Sequence, residues 1–167
     1  MSGLYTRMPS PVGDLLLAGD ERELWAVWID GQRWAPAIAS EWRKSPHPFA
    51  EARRQLEEYF AGERTGFDLP LRMRGTPFQV AVWTALSRIP FGETRSYGQL
   101  AAQLGRPTAA RAVGAANGRN PFCIVVPCHR LIGTGGALVD YAAGLEVKRR
   151  LLEHEARRGL AAAGPVG

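Results

Sequence analysis

The stretch Asn120-Pro121-Phe122-Cys123-Ile124-Val125-Val126-Pro127-Cys128-His129-Arg130 decides how this chain is read. Its apolar run has the composition of a segment driven into an interior, and Pro127 ends it. A cysteine, a histidine and an arginine then follow without a gap. The thiolate is the nucleophilic form of cysteine, and a nearby imidazole and guanidinium both favour it. Alone, such a pair is equally a packed thiol beside a surface base. Its company in the sequence points to chemistry: a helix-turn-helix pattern precedes it, and a carboxylate on an apolar helix face follows it. Adjacent residues do not face each other on a helical turn, so Cys128 and His129 need not touch.

Upstream, Thr76-Pro77-Phe78-Gln79 offers an N-cap, a proline at the first helical position and a glutamine three residues after the cap. Phe78, Val82, Leu86 and Ile89 continue it as one stripe. Ser96-Tyr97-Gly98-Gln99 repeats the capping box and opens a helix through Leu100, Ala101 and Leu104 that stops at Gly105. After Arg106-Pro107, a third helix is predicted over residues 108–117, ending at Gly118. Two short helices joined by a Gly-containing turn read as helix-turn-helix. The second has Ala109, Ala112, Val113 and Ala116 as a modest inward face, and Ala110, Arg111, Gly114 and Ala115 opposite. Such small side chains cannot read base edges in a major groove, but they allow close approach to a minor groove. They equally suit tight helix packing. Arg111 amid alanines needs solvent or a partner.

Downstream, a helix is predicted over residues 145–157, with Lys148, Leu151, Leu152 and Glu155 on one face. An inward Glu155 has to be paired or hydrogen-bonded. The alternative is a helix-end glutamate reaching solvent. The uncharged residues 159–167 are expected to form a flexible tail.

The first half carries no visible chemistry. Residues 10–30 read as a hairpin, with Leu15-Leu16-Leu17-Ala18 and Leu24-Trp25-Ala26-Val27-Trp28-Ile29 as its strands. Residues 31–48, with three prolines, read as a loop. Phe49, Ala52, Leu56, Tyr59 and Phe60 recur at helical spacing up to Gly62, and a short strand is expected over residues 67–71.

Composition bounds these readings. The chain has 167 residues, 46% hydrophobic and 22% charged, which is ordinary for a globular protein able to bury a core. No apolar run approaches a membrane span, and residues 1–10 lack the apolar stretch of a signal peptide, so a cytoplasmic protein is expected. Residues 1–71 hold 8 basic and 11 acidic side chains, whereas residues 72–167 hold 13 basic and 5 acidic ones. This asymmetry suggests a polyanion met by the second half. Two cysteines make no disulfide framework. Cys123, Cys128, His47 and His154 lack metal-ligand spacing, so no metal or other cofactor is expected, and Cys123 reads as a packed small hydrophobe.

Over residues 75–155 the assembly resembles the O6-alkylguanine-DNA alkyltransferases. The resemblance implies an α+β fold: a small ribonuclease-H-like N-terminal subdomain over residues 1–72, then a DNA-binding and alkyl-transfer subdomain over residues 73–158. It implies single-turnover, irreversible transfer of a methyl or other alkyl group from O6 of a flipped guanine in double-stranded DNA to Cys128. A water-bridged relay through His129 to Glu155 would remove the thiol proton, and Asn120 would brace the turn. Tyr97 would crowd the target phosphate and hydrogen-bond the base, although it reads equally as a core tyrosine. Arg111 would enter the stack, with Ala110, Gly114, Ala115, Arg95 and Arg106 along the DNA. The carbonyls of Cys128 and Leu131 and the Ala142 N–H would read the base edge, within a pocket formed by Leu131, Val139, Asp140, Tyr141, Ala142 and Ala143. A monomer is expected, with clustering along DNA left open.

Relatives carry a glycine-rich wall where this chain has Val139, Asp140 and Ala143. The departure is expected to narrow the pocket toward methyl adducts, and Asp140 to weaken DNA approach unless Arg130 or Lys148 pairs with it. Truncating Glu155 to Ala is expected to slow transfer with the fold retained. Two other classes compete: a non-catalytic alkyl-lesion-binding protein, against which Cys128 argues, and a thiol hydrolase using Cys128, His129 and Glu155, which would turn over.

Overall fold

A computed structural model describes the backbone of residues 3–35 and 37–163, with side chains as far as Arg157. The chain divides into two units: residues up to Met73 together with Pro121–Val125, and Arg74–Asn120 together with the residues from Val126 onward.

The first unit is built on four strands, β1 (Leu4–Met8), β2 (Leu15–Gly19), β3 (Leu24–Ile29) and β4 (Arg43–Lys44), in the order β3-β2-β1-β4. The expected hairpin is there, with Leu16 opposite Trp28 and Leu17 opposite Val27. Every residue of β2 is buried, which explains its unbroken run of apolar residues instead of an alternating pattern. Leu16, Ala18, Ala26 and Trp28 form a cluster against Tyr5, Ile38 and Trp42. Helix α1 (Ala50–Phe60) buries Ala52, Leu56 and Tyr59. β1 and β4 were not visible in the sequence; β4 is two exposed residues added in parallel to β1 inside the expected loop.

The strand expected over residues 67–71 does not form. Asp68 exchanges its backbone hydrogen bonds with the Gln55 side chain, at 2.9 and 3.0 Å, and Pro70 has no N–H to give. What remains is an isolated bridge between Leu24 and Leu71. The second unit is also less continuous than expected, because Pro121–Val125 joins the first. The Val27 N–H donates to the Pro121 carbonyl at 2.9 Å and the Cys123 N–H to the Val27 carbonyl at 3.0 Å, so this segment lies along β3.

In the second unit, α2 (Pro77–Leu86) and α3 (Tyr97–Gln103) both open with complete capping boxes, Thr76 with Gln79 and Ser96 with Gln99. Each such cap contributes about 1 kcal/mol. Gly105, at φ 75°, closes α3, and the chain turns into α4 (Ala110–Gly118). Trp83 is buried on α2 and donates its indole N–H to the Ala116 carbonyl of α4 at 2.9 Å. Ala112, expected inward, is exposed on α4, and Asn117 is buried instead alongside Val113 and Ala116. Strand β5 (Arg95–Ser96) pairs in parallel with β6 (Leu131–Ile132), which brings the start of α3 beside the Cys-His-Arg turn. The last helix, α5, spans Leu145–Ala163; it runs past residue 157 into the expected tail, whose residues 164–167 lie outside the described ones. Among the described residues, no helix is long and apolar enough to cross a membrane.

Candidate active site

The segment that opened the sequence reading is buried throughout residues 122–130. Two tight turns shape it. The Val125 N–H donates to the Cys123 carbonyl at 2.8 Å around Ile124, whose φ of 74° is rare for a β-branched residue. The Cys128 N–H donates to the Val126 carbonyl at 2.8 Å around Pro127, at φ −79° and ψ 65°, an inverse γ-turn that the proline ring favours. Asn120 Nδ2 donates to the same Val126 carbonyl at 2.9 Å. Cys128, His129 and Arg130 then form one 3-10 turn.

His129 and Glu155 are both buried, at 0% and 1% exposure. Glu155 Oε2 accepts a hydrogen bond from His129 Nε2–H at 2.7 Å and another from Arg130 Nη2 at 3.0 Å. Its Oε1 accepts from Arg130 Nε at 2.8 Å and from the Gly92 N–H at 3.2 Å. Arg130 Nη1 completes the clamp on the Ile89 carbonyl at 2.6 Å. A carboxylate holding four donors is an anion, so His129 Nε2 must carry its proton. Nδ1 is left as the basic nitrogen, buried and without a protein hydrogen bond among the described residues.

Burial pushes the His129 pKa down; Glu155 opposes this, while Arg130 and Lys148 add to it. Burial alone would raise Glu155, but the hydrogen bonds and charges of His129 and Arg130 prevail and hold it well below the usual carboxylate range. Both folded-state values therefore lie beneath their ordinary 6.5 and 4.5. The unfolded chain takes up more protons as pH falls through those values, so stability is fully present above pH 6.5 and is lost progressively in acid. Thermal melts from pH 8 to pH 4 are expected to fall below about pH 6, and a flat profile would contradict this arrangement.

A cavity of about 360 Å³ lies beside this network, lined by Tyr97, Ala110, Arg111, Gly114, Asn117, Gly118, Val139, Asp140, Tyr141 and Ala142. The Tyr97 ring lies over Gly114, where an added Cβ would stand 3.6 Å from it. Lys148, fully buried, places Nζ 5.9 Å from the centre of the Tyr97 ring and donates to the Asp140 carbonyl at 3.0 Å. Burial lowers the Lys148 pKa, against the pull of Cys128 and Asp140. Burial raises Tyr97, helped by Asp140 and Cys128, so the phenol keeps its proton.

The chain matches the 6-O-methylguanine DNA methyltransferase ribonuclease-like domain over residues 4–73 and the DNA binding domain of the same family over residues 77–157. It is 50% identical to the methylated-DNA–protein-cysteine methyltransferase of Methanosarcina acetivorans, across 90% of this chain and 97% of that one. The chain belongs to the 6-O-methylguanine DNA methyltransferase family. The constitutive methylated-DNA–protein-cysteine methyltransferase of Bacillus subtilis is 47% identical across 90% of this chain and 94% of that one. A crystal structure of Mycobacterium tuberculosis OGT in complex with DNA superposes with a TM-score of 0.89 at 50% identity, covering 93% of this chain and 94% of that one.

Within this methyltransferase fold, Tyr97, Ala110, Arg111, Gly114, Val139, Asp140, Tyr141 and Ala142 share one cavity, and Asn120, His129 and Glu155 hold the turn that carries Cys128. Two expected pocket residues lie elsewhere. Leu131 is fully buried in β6, opposite Arg95, and the Tyr141–Gly144 turn, closed by a 2.9 Å hydrogen bond, leaves Ala143 off the cavity wall. Ala115 is exposed away from the cavity, Arg95 meets Glu93 at 3.2 Å, and Arg106 stacks on Phe78 at 5.3 Å. Arg130 pairs with Glu155, and Lys148 reaches the Asp140 main-chain carbonyl. The Glu155 clamp argues against the expectation that Glu155→Ala keeps the fold intact, since truncation strands two buried basic groups. The sequence reading missed Asn117, Gly118 and the Glu155 role of Arg130. A polar residue one turn beyond the inward Val113 was the available signal for Asn117.

Proposed function

We propose that this protein repairs alkylated DNA directly, moving a methyl group from O6 of a flipped guanine onto Cys128 Sγ. The observation that carries the reading is the juxtaposition, in one unit, of a buried Cys-His-Glu-Arg assembly with a cavity walled by a helix-turn-helix. The target carbon is out of reach inside a duplex, so the nucleotide has to leave the stack, at a cost of a few kcal/mol. Small residues on α4 let the helix lie close to the minor groove, and Arg111, exposed at the cavity edge, fills the gap the base leaves.

The thiol proton passes through a water to His129 Nδ1, and the Lys148 ammonium favours the thiolate. Sulfur then attacks the methyl carbon: the S–C bond forms as the C–O6 bond breaks, and the guanine anion that leaves is neutralised on its ring by the proton that His129 took from the thiol. The thioether has no leaving group, so one chain repairs one lesion. The protein acts as a cytoplasmic monomer on double-stranded DNA, and sedimentation with and without DNA measures whether molecules cluster. A burst that stops at one equivalent of repaired lesion is expected. Turnover beyond one equivalent would indicate a hydrolase, and specific binding without repair a lesion-binding protein.

Arg111→Ala is expected to slow repair in duplex DNA much more than reaction with a free guanine analogue, because flipping is absent from the second assay. Equal losses would contradict the flipping role. Val139 keeps side-chain carbon at the cavity and packs where Gly133 admits it, with Cγ2 2.7 Å from a Cβ built there. Methyl adducts should therefore outpace benzyl adducts, with Val139→Gly closing the gap; benzylguanine consumed equally fast by both proteins would remove Val139 from the selectivity.

A further inference from the structure

Two buried polar side chains on the cavity wall, Asn117 and Tyr141, are not used by the reaction as described, and Asn117 is the one that touches the Cys128 turn. Asn117 is 6% exposed, sits on α4 and lines the cavity. Its Nδ2 donates to the Cys128 carbonyl at 3.4 Å. Its Oδ1 is buried with no hydrogen-bond partner among the described residues. Turning the amide over would set oxygen against the Cys128 carbonyl oxygen, so the acceptor end is the one left for a ligand. Buried acceptors left unmatched are uncommon and call for an explanation. Gly114 and Gly118, on the same helix, leave room for a flat ring to come close.

We propose that Asn117 is a specificity-determining residue whose Oδ1 accepts a hydrogen bond from the exocyclic amine of the flipped base, beside the Cys128 carbonyl. This rests on the reading of the cavity as a base pocket. Alkylation at O6 removes the proton from N1 of guanine, so the ring nitrogens and O6 are all acceptors. The exocyclic 2-amine is then the one donor on the base edge. An acceptor fixed next to Cys128 matches that amine and nothing else on the lesion. Of the other wall side chains able to accept, Asp140 is exposed, so water competes for it, and the Tyr97 and Tyr141 hydroxyls donate as well as accept, so they do not demand a donor on the base. A 6-alkoxypurine without the amine would leave Oδ1 desolvated and unmatched, which is how a polar site rejects an analogue.

Single-turnover methyl transfer from matched oligonucleotides carrying O6-methylguanine or O6-methylhypoxanthine, which lacks the amine, tests this. The wild-type protein is expected to prefer the amine-bearing base by about tenfold or more. Asn117→Leu should bring the two rates together, chiefly by slowing the guanine substrate. Asn117→Asp keeps an acceptor and loses the donor to Cys128, so it should retain the preference even if slower. Thermal melts check each fold, and Asn117→Ala removes the same acceptor should leucine not be tolerated. A preference that survives in the leucine or alanine variant would overturn the proposal, as would equal slowing on both substrates. Absence of transfer by the wild-type protein from either substrate would instead overturn the functional reading beneath it.

Discussion

Cys128→Ala is expected to abolish methyl transfer and leave binding to duplex DNA unchanged. Cys128 is 3% exposed, so its loss alters no charged surface. Removing one buried sulfur leaves a small void, costing on the order of 1 kcal/mol. The other thiol cannot substitute. Cys123 is 1% exposed and points its sulfur at Gln32 Oε1, 3.2 Å away, within the first unit. Gel shifts and transfer assays on the same preparation check this, and residual transfer at a measurable fraction of the wild-type rate would refute the assignment.

Glu155→Ala is expected to lose about 3–5 kcal/mol of folding free energy, the usual cost of stranding buried partners. Arg130 would lose both carboxylate bonds while its Nη1 stays committed to the Ile89 carbonyl. His129 would lose the acceptor that fixes its tautomer. For a chain of this length the melting temperature should fall by roughly 10 °C or more. Transfer should slow even at temperatures where the variant is folded, because Nδ1 is no longer reserved as the proton acceptor. Glu155→Gln should recover part of the stability and little of the rate. A Glu155→Ala protein that melts and reacts like wild type would remove this carboxylate from both roles.

Local signals carried most of what was legible in the sequence. Both capping boxes, the Gly105 stop and the all-buried β2 are written in consecutive residues, so short windows sufficed. Glu155 could be placed on an inward face by spacing alone, and the need for a partner followed from burial. Its choice of Arg130 could not be read, because residues 25 positions apart meet only through tertiary packing. The failed strand at 67–71 has the same origin: Gln55 reaches across from α1 and takes the backbone bonds a sheet would have used. Ala112 was expected inward and is exposed, and Asn117 was assigned to no face and is buried, because a helix of small residues gives periodicity little to grip. Pro121–Val125 looked like an interior run in sequence, and it is one; which strand it lies along depended on free backbone groups of β3.

The most direct test is the mass of the intact protein after incubation with duplex DNA containing O6-methylguanine, followed by peptide mapping. A gain of one methyl group, confined to the peptide carrying Cys128 and saturating at one per chain, is the expected result. An unchanged mass while the lesion is bound or repaired, or a methyl group on any other residue, would contradict it.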